Sequence, residues 1–260
     1  MRIVRYCEKK GQPQYGWVLN DKVGPIMGSP FNEYRRLEAD IPIENVQLLP
    51  PVLPGKIIGV GSNFKRFDEE ADYQKSDVPI VHLKPTSSLI GHNESIVIPP
   101  QSNQVIHEAE LAIVISKKGR WIKNENVSDY IFGYTISNDV TAIDLAKNDG
   151  QWGRGKGFDT FCPLGPWIET GLNVSDVLLT CRVNDELRQM ASTREFLFTV
   201  QQIIVFISSI MTLYPGDVIL SGTPDGAGPL EEGDIVDVGI EGIGVLSNPV
   251  IKDVFDSEKM

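Results

Sequence analysis

The chain has 260 residues, 41% hydrophobic and 23% charged, an ordinary globular composition with room for one large domain, or one plus a small appendage. Its net charge of -11, with Lys and Arg dispersed, argues against nucleic acid as a partner, because phosphate binding needs a basic surface. The longest apolar stretch, 203–214, is too short to span a bilayer, no apolar signal core precedes Glu8-Lys9-Lys10, and Cys7, Cys162 and Cys181 suggest no disulfide framework, so a soluble protein of the reducing cytoplasm is expected.

Short strands are predicted at 3–7, 15–19 and 22–26, and Pro50-Pro51 and Pro54-Gly55 punctuate the boundary to the rest of the chain. Residues 1–54 therefore read as a small β-rich domain and 55–255 as the main one. The main domain opens with an apolar strand at 57–61. Its Gly59-Val60-Gly61 lacks the third glycine of a dinucleotide fingerprint, and strands and helices do not alternate, so that fold is set aside. Further strands are predicted at 80–83, 95–98, 108–115, 130–137, 178–183, 217–220 and 235–238. Two helices interrupt them, at 141–148 and 195–210; the second carries Val200, Ile203, Ile204, Ile207 and Met211 at helical spacing. The class is α+β, dominated by β.

The chemistry centres on Glu108 and Glu110, in an apolar run from Val105 to Ile115 that reads as one strand. Residues two apart share a strand face, so both carboxylates lie with Ala112 and Val114. The opposite face is also apolar, so the strand is expected to be buried on both sides. Two buried carboxylates side by side need a proton or a cation; left in water, the same pair is simply a solvated sheet face. Asp139 comes after a second strand and completes an all-oxygen triad, although it or Thr141 also suits the N-cap of the next helix. Three carboxylates without His or Cys favour Mg2+ or Mn2+. Lys84, before Pro85, reads as a structural pairing lysine, and His82 and His107 as sheet histidines.

Five stretches in order then carry a resemblance. They are Gly61-Ser62-Asn63-Phe64, Leu83-Lys84-Pro85, His107-Glu108-Ala109-Glu110-Leu111, Asp149-Gly150-Gln151-Trp152 with Lys156-Gly157-Phe158-Asp159-Thr160-Phe161, and Ser221-Gly222-Thr223-Pro224. From about residue 55 to 252 the chain resembles the fumarylacetoacetate hydrolase superfamily. It is most similar to the branch of acylpyruvases, oxaloacetate decarboxylases and 2-hydroxyhepta-2,4-diene-1,7-dioate isomerases. The resemblance implies a mixed-sheet β roll, a homodimer and a small 2-oxo acid substrate. It also implies Glu108, Glu110 and Asp139 as Mg2+ or Mn2+ ligands, with Lys156, Thr223 and Asn63 at the substrate.

The chain departs from that pattern in three places. Phe67 stands where family hydrolases carry the His of a His-x-x-Glu dyad, while Glu70 matches its Glu. Ile143 and Ala146 stand where an Arg and a Gln are usual, which leaves Arg154 or Arg66 to grip a substrate carboxylate. Phenylalanine takes no proton from water. Decarboxylation or isomerisation through a metal-stabilised enolate therefore fits best. The alternatives are a C–C hydrolase with a replacement base, Glu70 or a histidine, and a catalytically silent homologue that binds metal and an organic acid.

Overall fold

The structure is a computed structural model, and it describes residues 1–8, 11–65 and 76–253. Among them, most residues of regular structure lie in strands, joined by short 3-10 turns and two α-helices, Ile143–Asp149 and Val200–Ile210. The larger sheet has 13 strands. Along its main path Arg2–Glu8 pairs with Cys162–Glu169, and beyond that strand lie Ile131–Asn138, Ala109–Ile115, Val218–Leu220, Ile57–Gly61 and Ile80–Lys84. The pairing of Val218–Leu220 with Ile57–Gly61 is parallel and its neighbours are antiparallel, so the sheet is mixed. A second sheet of five strands runs Ile96–Ile98, Gly244–Lys252, Ile235–Ile240, Leu178–Val183 and Glu186–Ser192.

Ala109–Ile115 explains how the two sheets meet. Every residue in it is buried. Leu111, Ile113 and Ile115 pack with Leu179 and Val238 of the second sheet and Ile203 and Ile207 of the long helix. Ala112 and Val114 point the other way, onto Ile3, Ile57 and Leu164. The two-residue period thus divides one strand between two apolar layers, and the expected double burial holds. The N-terminal strands keep a small core of their own, Val4, Tyr6, Val18 and Val23. They are also hydrogen-bonded into the main sheet, with Arg2 opposite Glu169 and Ile3 opposite Ile168.

Three predicted elements are corrected. The strand expected from 105 to 115 is broken: Val105–Ile106 pairs with Thr141–Ala142, and Ala109–Ile115 pairs with Ile131–Asn138. The helix expected from 195 starts at Val200, behind Thr199, whose hydroxyl and the Gln202 side chain form a reciprocal capping box. Neither Asp139 nor Thr141 caps the shorter helix; Ala142 holds that position without a side-chain hydrogen bond. Gly150, at φ 65°, ends the helix in the left-handed region.

Candidate metal and substrate site

The break at His107-Glu108 builds the site. There the backbone leaves one partner strand for another, and the crossing is tied by Asp139 N donating to Glu108 O at 2.8 Å and Glu108 N donating to Asn138 Oδ1 at 2.8 Å. Glu108 and Asp139 are thereby clasped together, with Glu110 two residues beyond Glu108. One carboxylate oxygen from each lies within 4.8 Å of the other two. Glu110 is 1% exposed and Asp139 fully buried.

Glu110 Oε2 accepts a hydrogen bond from Gly222 N. Gly222 sits at φ +96°, and a Cβ there would come within 2.7 Å of Asn63 Cβ, so the close approach requires glycine. Lys156, 4% exposed, donates from Nζ to Glu108 Oε2 at 2.8 Å, Asp139 Oδ2 at 2.7 Å and Thr141 Oγ1 at 2.8 Å. Lys84 Nζ lies 2.7 Å from Asp139 Oδ1 and also donates to the carbonyls of Lys156 and Val140. His82 Nε2 is 3.0 Å from Asp139 Oδ2.

Three carboxylates face two ammonium groups, a formal excess of one negative charge. Burial, and then the neighbouring Asp139, push the Glu110 carboxyl well above the ordinary range despite the pull of Lys156. Asp139 goes the other way: burial would raise it, but Lys156, Lys84 and His82 outweigh that and hold it well below. Lys156 behaves alike; burial would lower it, yet Asp139, Glu108 and Glu110 raise it above the usual lysine range. A deficit of positive charge centred on a largely buried, all-oxygen set is what a hard divalent cation satisfies. Glu108, Glu110 and Asp139 fit that ion.

Metal binding should therefore depend on pH. Glu110 must lose its proton to ligate, and its carboxyl is raised, so Mn2+ affinity is expected to weaken as pH falls, starting above the ordinary carboxylate range. Glu110→Gln should remove most of the affinity and flatten what is left; a calorimetric titration series in pH checks this.

A cavity of about 330 Å³ opens onto the cluster, lined also by Phe64, Ile143, Trp152 and the 223–227 loop. Thr223 lines it, but its hydroxyl donates to Ala109 O at 2.9 Å and accepts from Gln189 Nε2 at 2.9 Å. Two residues expected at the substrate lie elsewhere. Asn63 is fully buried and spends its carboxamide on the backbone of Phe198 and Ser221. Arg154 is drawn onto Asp149, at 2.8 and 2.5 Å, on the exposed side of the loop. Phe67, Glu70 and Arg66 lie outside the described residues. Lys84 is a pairing lysine, as its place before Pro85 suggests, and its partner is Asp139 itself. His82 and Lys84, two apart on one strand, both reach Asp139, a shared face that the strand period could have shown.

Comparison with known proteins places these features. Residues 56–251 match the family described as fumarylacetoacetate (FAA) hydrolase C-terminal. The chain belongs to the fumarylacetoacetate hydrolase family. Residues 1–51 match the family described as Rv2993c-like, N-terminal. Oxaloacetate tautomerase Fahd2a, mitochondrial, of Rattus norvegicus is 40% identical over 232 residues, 84% of this chain and 74% of that protein. The solved 5-carboxymethyl-2-hydroxymuconate delta-isomerase of Mycobacterium smegmatis is 40% identical with a TM-score of 0.89, over 97% of this chain and 100% of that one. Maleylpyruvate hydrolase of Sphingobium sp. SYK-6, solved with manganese(II) and pyruvate, is 30% identical with a TM-score of 0.79, over 97% of this chain and 99% of that one. The chain thus has the family's β-dominated fold, and its relatives include proteins named tautomerase, isomerase and hydrolase.

Proposed function

We propose that the protein is a divalent-metal-dependent tautomerase or isomerase of a small 2-oxo acid, working through an enolate. The observation that carries this is the triad of part-buried Glu108 with buried Glu110 and Asp139, bridged by Lys156 and lining the cavity. Relatives named tautomerase and isomerase support it. Glu108, Glu110 and Asp139 would hold Mg2+ or Mn2+, which would supply Lewis acidity toward an oxygen-rich substrate.

The chain's own groups do the rest. Lys156 is held beside the triad by three acceptors, so its positive charge would favour negative charge collecting on a substrate oxygen there. Lys84 and His82 hold Asp139 ionised and aimed. Phe64, Ile143 and Trp152 limit water around the reacting carbon. Glu70, placed by the sequence resemblance, is the proposed carrier of the C3 proton. A homodimer, and a reducing cytoplasm in which Cys7, Cys162 and Cys181 stay free thiols, belong to the same reading.

The test sets oxaloacetate beside acetylpyruvate, each with Mn2+ and then with chelator. Metal-dependent interconversion of enol and keto oxaloacetate, monitored by the enol absorbance, is the expected result. Net loss of oxaloacetate to pyruvate would make the enzyme a decarboxylase. Cleavage of acetylpyruvate would favour C–C hydrolysis, the reading that the maleylpyruvate hydrolase relative supports. Tight oxalate binding with no turnover of either would make it a silent homologue.

A further inference from the structure

Gln189 lies on Glu186–Ser192, an edge strand of the second sheet, yet its side chain is 1% exposed and reaches the catalytic side of the molecule. Its Oε1 accepts from Ala109 N at 3.1 Å and lies 2.9 Å from His107 Nδ1. Its Nε2 donates to Thr223 Oγ1 at 2.9 Å and Pro224 O at 2.8 Å. The backbone groups fix which end is which, because Ala109 N can only donate and Pro224 O can only accept. Two acceptors cannot face each other at 2.9 Å, so His107 carries a proton on Nδ1. Thr223 closes a ring by donating to Ala109 O at 2.9 Å.

The partners are not arbitrary. Ala109 separates Glu108 from Glu110. Thr223 and Pro224 line the cavity. The same loop rests on the strand that bears Gln189: Gly226, at φ +95°, would place a Cβ 2.1 Å from Arg188 O, so the contact is backbone on backbone. One carboxamide from a different sheet therefore joins the carboxylate-bearing segment to the loop that forms another wall of the site.

We propose that Gln189 is a positioning residue that fixes the 223–227 wall against residues 108–110, so that a bound 2-oxo acid meets both in register. This rests on the reading of the cavity as a 2-oxo acid site. Gln189→Glu preserves the acceptor end and loses both donors. Gln189→Met preserves the length and loses all four bonds.

The experiment measures kcat and KM for oxaloacetate, calorimetric Kd for oxalate on the Mn2+-loaded protein, and Mn2+ affinity. For Gln189→Glu we expect KM and oxalate Kd to rise together by about tenfold, one lost pair of hydrogen bonds, with Mn2+ affinity held within about threefold. Gln189→Met should weaken Mn2+ as well, because Ala109 is released. Unchanged KM and oxalate Kd in Gln189→Glu, or a lower Tm with unchanged kinetics, would overturn the proposal and leave Gln189 a structural residue. If Gln189→Glu does not fold, Gln189→Asn, which keeps the carboxamide but is one methylene too short to join Ala109 to Thr223 and Pro224, must raise oxalate Kd likewise. Absence of turnover in the wild type would refute the tautomerase reading alone, since oxalate affinity still decides the role of Gln189.

Discussion

Lys156→Met is expected to cut turnover of oxaloacetate by about 10²–10³-fold, the usual loss when one preorganised electrostatic donor is removed. Mn2+ affinity should stay at the wild-type level or rise. The two effects have opposite signs because the ammonium plays two parts. Toward the enolate oxygen it is a positive group that touches two of the three carboxylates. Toward the cation it is a competitor, since Nζ already bonds Glu108 and Asp139. Methionine retains most of the buried stem, so packing changes little. In the metal-free variant three carboxylates face Lys84 alone, which should lower Tm, and Mn2+ should restore it by binding the folded state. Mn2+ titration, melting with and without metal, and the tautomerase assay separate these contributions. Joint loss of Mn2+ affinity and turnover would assign Lys156 to holding the site together. Unaltered turnover would mean that its charge is not used.

Features that depend on short spacing were legible in the sequence. The two-residue period put Glu110 on a face with Ala112 and Val114, and the structure keeps those two in a separate apolar layer from Leu111 and Ile113. The break before Ala109 was not readable, because Val105 to Ile115 has no glycine or proline. It arises where one partner strand ends and another begins, which is a tertiary event. The true start of the long helix was within reach, since Thr199 and Gln202 are a capping-box spacing. Arg154 invited a substrate role through its charge, but Asp149, five residues back, satisfies it. Gln189 had no local signal at all. Its importance comes from Ala109 and Thr223, which are 80 and 34 residues away.

Asp139→Asn should have the largest combined effect: Mn2+ binding and turnover lost, and stability reduced by about 3–5 kcal/mol, the cost of breaking a buried ion pair from one side. The shape of the side chain survives, so the loss is one of charge. Lys156 would still face Glu108. Lys84, fully buried at its side chain, would keep only the carbonyls of Val140 and Lys156 and become an uncompensated cation. Lys84→Met added to Asp139→Asn should therefore recover much of the stability without recovering Mn2+, a non-additivity that a double-mutant cycle reads directly. The pH dependence has a definite sign. Asp139 is held well below its ordinary value of 3.8, so its contribution is present above about pH 4 and lost as pH falls from there toward the lower folded value. The stability gap between wild type and Asp139→Asn should accordingly be widest near neutrality and close in strong acid. A gap independent of pH would mean that the substitution acts through packing. A gap with the Lys84→Met rescue missing would mean that Lys84 is neutralised by another group, and that Asp139 is a ligand without being the electrostatic hub of the site.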